Sequence, residues 1–108
     1  AAHVLAVSGT SLFAGTDGGG VFRSGDNGAS WTAVNYGLTS LRVFALAVSG
    51  TSLFAGTISG GVFRSSNNGA SWSAVDNGLT DRNVRALAVS GTSLFAGTNF
   101  AGVWWRPL

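Results

Sequence analysis

The sequence predicts an all-β fold: four-stranded antiparallel β-propeller blades on a 41-residue repeat, about 2.6 blades across 108 residues. Three observations predict it. The segment LAVSGTSLFAGT at Leu5–Thr16 returns unchanged at Leu46–Thr57 and Leu87–Thr98, each copy 41 residues after the last. Between these copies, Gly19–Thr39 and Gly60–Thr80 agree at 16 of 21 positions. Each unit also holds four short runs rich in Val, Leu, Phe, Trp and Ala, separated by clusters of Gly, Ser, Asn and Asp. Runs of that kind read as strands and such clusters as turns. Four antiparallel strands recurring about every 40–45 residues are the signature of a propeller blade.

In the first unit the pattern predicts strand A near Val4–Ser8, B near Ser11–Gly15, C near Gly20–Ser24 and D near Ser30–Val34, with the same strands 41 and 82 residues on. Ser8-Gly9-Thr10 joins A to B. Asn27-Gly28 joins C to D, a hairpin signal because a type I′ turn needs positive φ at both central residues. The chain therefore reads as a single partial propeller over 1–108: blade 1 about 1–39, blade 2 about 40–80, and an incomplete blade 3 about 81–108, whose copy stops at GVWWRPL. There Trp104 and Trp105 replace the Phe-Arg pair of Phe22-Arg23 and Phe63-Arg64, as core filling and edge capping or as an aromatic platform for a glycan.

The composition narrows the class. Hydrophobic residues make up 45% and charged residues 9%, with 17 Gly and one Pro, too apolar for disorder and too broken by Gly for long helices. Without Cys, neither disulfides nor Cys-ligated zinc are available. The longest apolar runs, such as Val43–Val48, fall far short of the roughly 20 residues of a spanning helix, so no membrane partner is expected. The six Arg are scattered and the net charge is +2, so no nucleic-acid partner is expected. The start Ala1-Ala2-His3 has no Met and no leader, which fits a removed signal or an excised or engineered piece. Near-identity of the copies exceeds what packing requires, since cores tolerate many hydrophobic exchanges of similar volume. Recent duplication or deliberate symmetrisation would produce it.

Ser24-Gly25-Asp26-Asn27-Gly28-Ala29-Ser30-Trp31 resembles the S-x-D-x-G-x-x-W Asp box of the BNR-repeat, sialidase-like propellers. Its structural residues are Ser24, Asp26, Gly28 and Trp31, and in the second copy Ser65, Asn67, Gly69 and Trp72; Asn67 departs from the family's Asp. In such a box the short side chain satisfies backbone donors of its own turn and the Trp packs as an anchor. The resemblance implies a folding element at the blade periphery, away from catalysis, and a secreted or periplasmic setting.

A propeller closes with about 4–8 blades, so this chain needs further blades. An open stack exposes blade faces and strand edges, which invites self-association. Two chains supply about six blades and three about eight; a homodimer is preferred and a homotrimer is the alternative. The chain is expected to be a non-catalytic, self-assembling scaffold. The alternatives are a glycan-binding, lectin-like propeller and a fragment of a larger Asp-box propeller protein.

If strands alternate in direction, the copies differ mostly on the face carrying the B-to-C and D-to-A connections. The candidate ligand-binding residues there are Asp17, Arg42, Phe44, Asp81, Arg82, Arg85, Asn99 and Phe100. Arg offers forked donors to a carboxylate or to sugar hydroxyls, Asp accepts, and Phe stacks on an apolar ring face. Drift in loops explains the same variation. His3, Phe44 and Arg85 share one repeat position, so His3 reads as a surface or entry residue. No metal and no cofactor are expected. The catalytic set of the sialidases that the box resembles is missing: there is no Glu, and the one Tyr is Tyr36. No G-x-S-x-G elbow, phosphate loop or calcium loop is present, so no catalytic residue is assigned.

Overall fold

A computed structural model describes residues 2–108. Among them the chain forms three antiparallel sheets. The first contains β1 (Ala2–Ser8), β2 (Ser11–Thr16), β3 (Gly20–Ser24) and β4 (Thr32–Ala33), paired in chain order. The second repeats it with β5 (Val43–Ser49), β6 (Ser52–Thr57), β7 (Gly61–Ser65) and β8 (Ser73–Ala74). The third holds β9 (Val84–Ser90), β10 (Ser93–Thr98) and β11 (Val103–Pro107). Strands A, B and C fall where the alternation put them, with A and B slightly longer.

Strand D is a correction. The fourth strands are only Thr32–Ala33 and Ser73–Ala74, paired through Phe22 with Ala33 and Arg23 with Thr32 and their counterparts, and one further bond continues each pairing, from Val34 N–H to the Val21 carbonyl at 2.9 Å and from Val75 N–H to the Val62 carbonyl at 3.0 Å. The physical reason is that the preceding backbone donors are engaged elsewhere: Ser30 N–H goes to Asp26 Oδ1 at 2.9 Å, and Trp72 N–H goes to the Tyr36 carbonyl of the previous blade at 2.9 Å. The C-to-D connection is accordingly a seven-residue loop, Gly25–Trp31, rather than a two-residue hairpin. Inside it the expected turn is present, with φ of 62° at Asn27 and 90° at Gly28, closed by Ala29 N–H to the Asp26 carbonyl at 3.3 Å.

Alternation along each strand gives every blade two apolar faces. The face of blade 1 turned toward blade 2 carries Val4, Ala6, Phe13, Val21, Val34 and Leu38, packed on Leu46, Val48, Leu53, Phe63 and Trp72. One repeat later Ala47, Phe54, Val62, Val75 and Leu79 pack on Leu87, Val89, Leu94, Ala96 and Trp104. Each such Phe or Leu contributes about 1.5–3 kcal/mol when buried. The first strands of neighbouring blades lie against each other, and Gly15 of β2 leaves no room beside them: a Cβ there would stand 2.7 Å from Val4 Cγ1 of β1 and from Val43 Cγ1 of β5. Gly56 meets Val84 in the same way, at 2.6 Å. The strand order and the contacts among β1, β5 and β9 make these the inner strands of a fan, with the short fourth strands outside.

The link between blades fixes the face that carries the variable loops. The Leu41 carbonyl accepts from Gly18 N–H and Gly20 N–H, while the Arg42 carbonyl accepts from Ile58 N–H. One segment thereby pins the B-to-C turns of two successive blades. The Thr that ends every second strand closes each of these turns, as when Thr16 Oγ1 donates to the Gly20 carbonyl at 2.9 Å and accepts from Gly19 N–H at 3.1 Å. Thr57 and Thr98 repeat the donation.

Candidate functional site

On that face the inner strands bring residues of one repeat position side by side. The His3 and Phe44 rings stack, centroids 4.5 Å apart and planes 22° from parallel. Phe44 also lies under two guanidinium groups, Arg85 at 5.2 Å and Arg42 at 5.8 Å from the ring centroid. Cations within about 6 Å of an aromatic face are attracted by its quadrupole. Both guanidiniums are held from behind: Arg42 Nε donates to Asp17 Oδ1 at 2.8 Å, and Arg85 Nε donates to Asn99 Oδ1 at 2.8 Å. Each keeps its remaining N–H groups for a ligand or water. His3 Nε2 stands 3.9 Å from Asp17 Oδ2.

The hydrogen bond from Arg42 holds the Asp17 carboxyl below the usual carboxylate range. Asp81 is held low as well, first by the backbone N–H of Asn83 at 3.0 Å and then by that of Phe100 at 2.6 Å. Asp81 is thus a loop organiser that presents the exposed Phe100 ring. Of the eight candidate residues, Asp17, Arg42, Phe44, Arg85 and Asn99 form one connected cluster, and Asp81 with Phe100 forms a second unit. Arg82 joins neither. Its Nη1 donates to Asp76 Oδ2 at 2.6 Å, and Asp76 is buried at the end of the fourth strand. Arg82 is therefore engaged within the link that runs from β8 to β9.

Two participants escaped sequence reasoning. His3 belongs to the cluster, a role that its shared repeat position with Phe44 and Arg85 could have signalled, since equal positions on adjacent blades face each other. Asp76 had no such signal, because its counterpart Asn35 makes different bonds, accepting from Val21 N–H at 2.7 Å and donating to the Gly19 carbonyl at 3.1 Å. Among the described residues no three His, Cys, Asp or Glu gather as a metal site.

The opposite face bears a polar cavity of about 480 Å³ between blades 1 and 2. Ser8, Ser11, Thr51, Asn67 and Asn68 line it with Arg23, whose Nε donates to Ser11 Oγ at 3.0 Å.

The two C-to-D loops are built as short-range networks. In the first, Ser24 Oγ donates to Asp26 Oδ1 at 2.8 Å and accepts from Gly28 N–H at 2.8 Å, while Ser30 Oγ donates to Asp26 Oδ2 at 2.6 Å. Led by the Ser30 hydroxyl, these bonds lower Asp26 to about 2. The second loop keeps the geometry with Asn67, and one bond reverses: Asn67 Nδ2 donates to Ser71 Oγ at 2.8 Å.

Three packed blades of this kind define a partial β-propeller. Solved structures agree on that fold. An ancestral GH74 enzyme matches with a TM-score of 0.77 at 24% identity over 92% of this chain and 14% of its own. The computationally designed Ika4 protein matches with a TM-score of 0.73 at 16% identity, over 96% of this chain and 64% of its own. The GH74 enzyme of Niastella koreensis matches with a TM-score of 0.58 at 23% identity, over 95% of this chain and 17% of its own. The chain therefore spans less than two thirds of each of these structures. No protein-family model matches it. No curated protein sequence matches it either.

Proposed function

We propose that the chain is a non-catalytic blade module, of the Asp-box type its loops resemble, whose copies join third blade to first and close a propeller ring. One observation carries this reading: positions buried at the internal blade interfaces are exposed at the two ends. Leu46 is 9% exposed and its counterpart Leu5 69%; Trp72 is 5% exposed and Trp31 41%. At the other end Val21 and Val62 are fully buried, whereas Val103 is 70% exposed. Gly97 is the counterpart of Gly15 and Gly56, yet a Cβ added there would meet only Ala86 within 4 Å, at 3.6 Å, so the space a neighbouring Val would fill is open. The two end faces are the two halves of an interface the chain already makes twice. Two copies of three sheets give six blades, within the usual range of closed rings.

The non-catalytic part rests on how the carboxylates are engaged. Asp17 and Asp81 are held ionised by Arg42 and by backbone donors, Asp26 by its own loop, and Asp76 is paired with Arg82. A general acid near neutral pH requires the opposite shift.

Light scattering coupled to size exclusion tests the assembly. The expected mass is twice the 10.9 kDa of one chain, reverting to one chain in Leu5→Asp or Val103→Asp. A wild-type monomer at all concentrations overturns ring closure by copies and favours the reading of the chain as part of a longer propeller. The connected His3, Phe44, Arg42 and Arg85 cluster favours a second reading, a lectin-like ring. It predicts glycan binding that Phe44→Ala or Phe100→Ala removes without changing the mass, and an empty glycan array rejects it.

A further inference from the structure

In blade 2 Trp72, the residue just before the fourth strand, reaches back to blade 1 with two donors. Its indole N–H goes to the Val34 carbonyl at 2.8 Å and its backbone N–H to the Tyr36 carbonyl at 2.9 Å. The equivalent acceptors one repeat later are the carbonyls of Val75 and Asn77, on the rim of blade 2. Among the described residues no fourth strand meets them, because the third sheet is β9, β10 and β11, and the outer edge of β11 is unpaired. Trp104 and Arg106 take the two acceptors instead: the Trp104 indole N–H donates to the Asn77 carbonyl at 3.3 Å, and Arg106 Nη1 donates to the Val75 carbonyl at 3.2 Å.

These are positions at which the third repeat departs from the other two. Trp104 stands for Phe22 and Phe63, and Arg106 stands for Ser24 and Ser65. Both substitute bonds are longer than the ones they replace. They also leave space: a cavity of about 320 Å³ remains between Ala74, Val75 and Asn77 on one side and Trp104, Arg106 and Pro107 on the other.

We infer that this rim is a strand-accepting site, which binds an extended segment bearing Ser-Trp-x-Ala-Val, the chemistry of the chain's own fourth strands, with Trp104 and Arg106 as a plug that the segment displaces. An unpaired edge offers backbone groups that a peptide strand satisfies, while a pocket for one side chain supplies selectivity. The pocket is lined on its blade 2 side by Ala74 and Val75 and asks for an apolar group with a donor, as the Trp72 indole is in blade 2. Residues opposite β11 must be small, as Ala74 is opposite Phe63 and Ser73 opposite Arg64, because β11 presents Trp104 and Trp105 there. Pro107 cannot donate to a ladder, so pairing is confined to a short stretch, like the two-residue β4 and β8. Only blades 2 and 3 of one chain take part, so the site exists whether or not copies close a ring.

A fluorescently labelled peptide with the sequence of Asn27–Thr39 tests the inference by anisotropy against wild type and against the double variant Trp104→Phe, Arg106→Ser. Saturable binding is expected, about tenfold tighter in the double variant because the competing plug is gone, and lost when the peptide carries Trp31→Ala. Absence of saturable binding to both proteins overturns the site, as does binding indifferent to the peptide Trp. If the double variant lacks a β-sheet circular dichroism spectrum, the same segment is fused after Leu108 of the wild-type chain. Tm then has to rise above that of a fusion carrying Ala for the Trp, and equal melting of the two fusions overturns the inference.

Discussion

The segments Ser24–Trp31 and Ser65–Trp72, each a C-to-D loop with the strand-end serine before it, share one backbone and end on the same residue type, yet their tryptophans live in different surroundings. Both loops carry a left-handed Asn followed by a left-handed Gly, with φ of 62° and 90° in the first and 60° and 83° in the second. Both centre on a buried serine hydroxyl that accepts from a glycine N–H at 2.8 Å. Trp72 then lies buried in the cluster it forms with Phe13, Val34 and Leu38 of the preceding blade, whereas no blade packs on Trp31 among the described residues and its side chain is exposed. The comparison separates two roles that one motif combines. Its turn is a local structure, complete within eight residues; its tryptophan is an inter-blade bolt whose contribution depends on what lies upstream.

The largest expected effect breaks the bolt. Trp72→Ala removes a buried indole and its bond to the Val34 carbonyl, and the expected loss is about 3–5 kcal/mol of unfolding free energy in urea titration. In the isolated chain Trp31→Ala is expected to fall within about 0.5 kcal/mol, as exposed substitutions do. If copies close a ring, the cost of Trp31→Ala reappears as a weaker dimer in dilution experiments. Equal losses from both substitutions in a monomeric sample would contradict the division into local turn and inter-blade bolt.

The turn itself should behave alike in both loops. Ser24→Ala and Ser65→Ala each leave a glycine N–H without its acceptor and take from the Asp26 or Asn67 oxygen one of its two donors, the other being the Ser30 or Ser71 N–H. Each is expected to cost about 1–3 kcal/mol, the penalty for unsatisfied polar groups. Parallel chemical denaturation of the two variants checks this. A much larger loss at Ser65 would mean that the neighbouring blade, which presses Val34 and Phe13 on Gly69, also holds the loop in shape.

These contrasts mark which features the sequence reveals. Identical twelve-residue segments at a spacing of 41 specify the blade, because alternation assigns each residue to one of two faces and the next copy presents the complementary face. The Asn-Gly pair identifies the turn, since positive φ at both positions is a property of those residues. The length of strand D was not readable, because its donors are diverted to a side chain and to another blade, and neither diversion leaves a pattern in local hydrophobicity. The site divides in the same way. The stacking of His3, Phe44 and Arg85 follows from equal repeat positions, whereas the turn of Arg82 toward Asp76 depends on a loop path peculiar to the second link. Trp104 and Arg106 stand out as departures from the repeat, but their bonds to Asn77 and Val75 needed the third dimension.

The smallest expected effect comes from the one atom that separates the loops, Asp26 against Asn67. At neutral pH the exchange is nearly balanced: Asp26 Oδ2 accepts from the Ser30 hydroxyl, Asn67 Nδ2 donates to the Ser71 hydroxyl, and a hydroxyl can turn to serve either. Asp26→Asn and Asn67→Asp should each move Tm by no more than about 3 °C there, the span of an ordinary surface exchange. Acid separates them. The Ser30 and Ser24 bonds lower Asp26 to about 2 in the folded chain from an ordinary 3.8, so the folded state favours the ionised form. The stability this contributes is fully present above the ordinary value and is lost as pH falls through the folded one, so the window runs from about pH 4 down to about 2. Asn67 has no proton to gain. Melting temperatures followed through that window should fall less steeply for Asp26→Asn than for wild type and more steeply for Asn67→Asp, whose new carboxylate would accept from the same serines. Superimposable acid profiles for all three proteins would mean that the loop hydrogen bonds do not discriminate between carboxylate and carboxyl, and that the two loops are equivalent in charge as well as in shape.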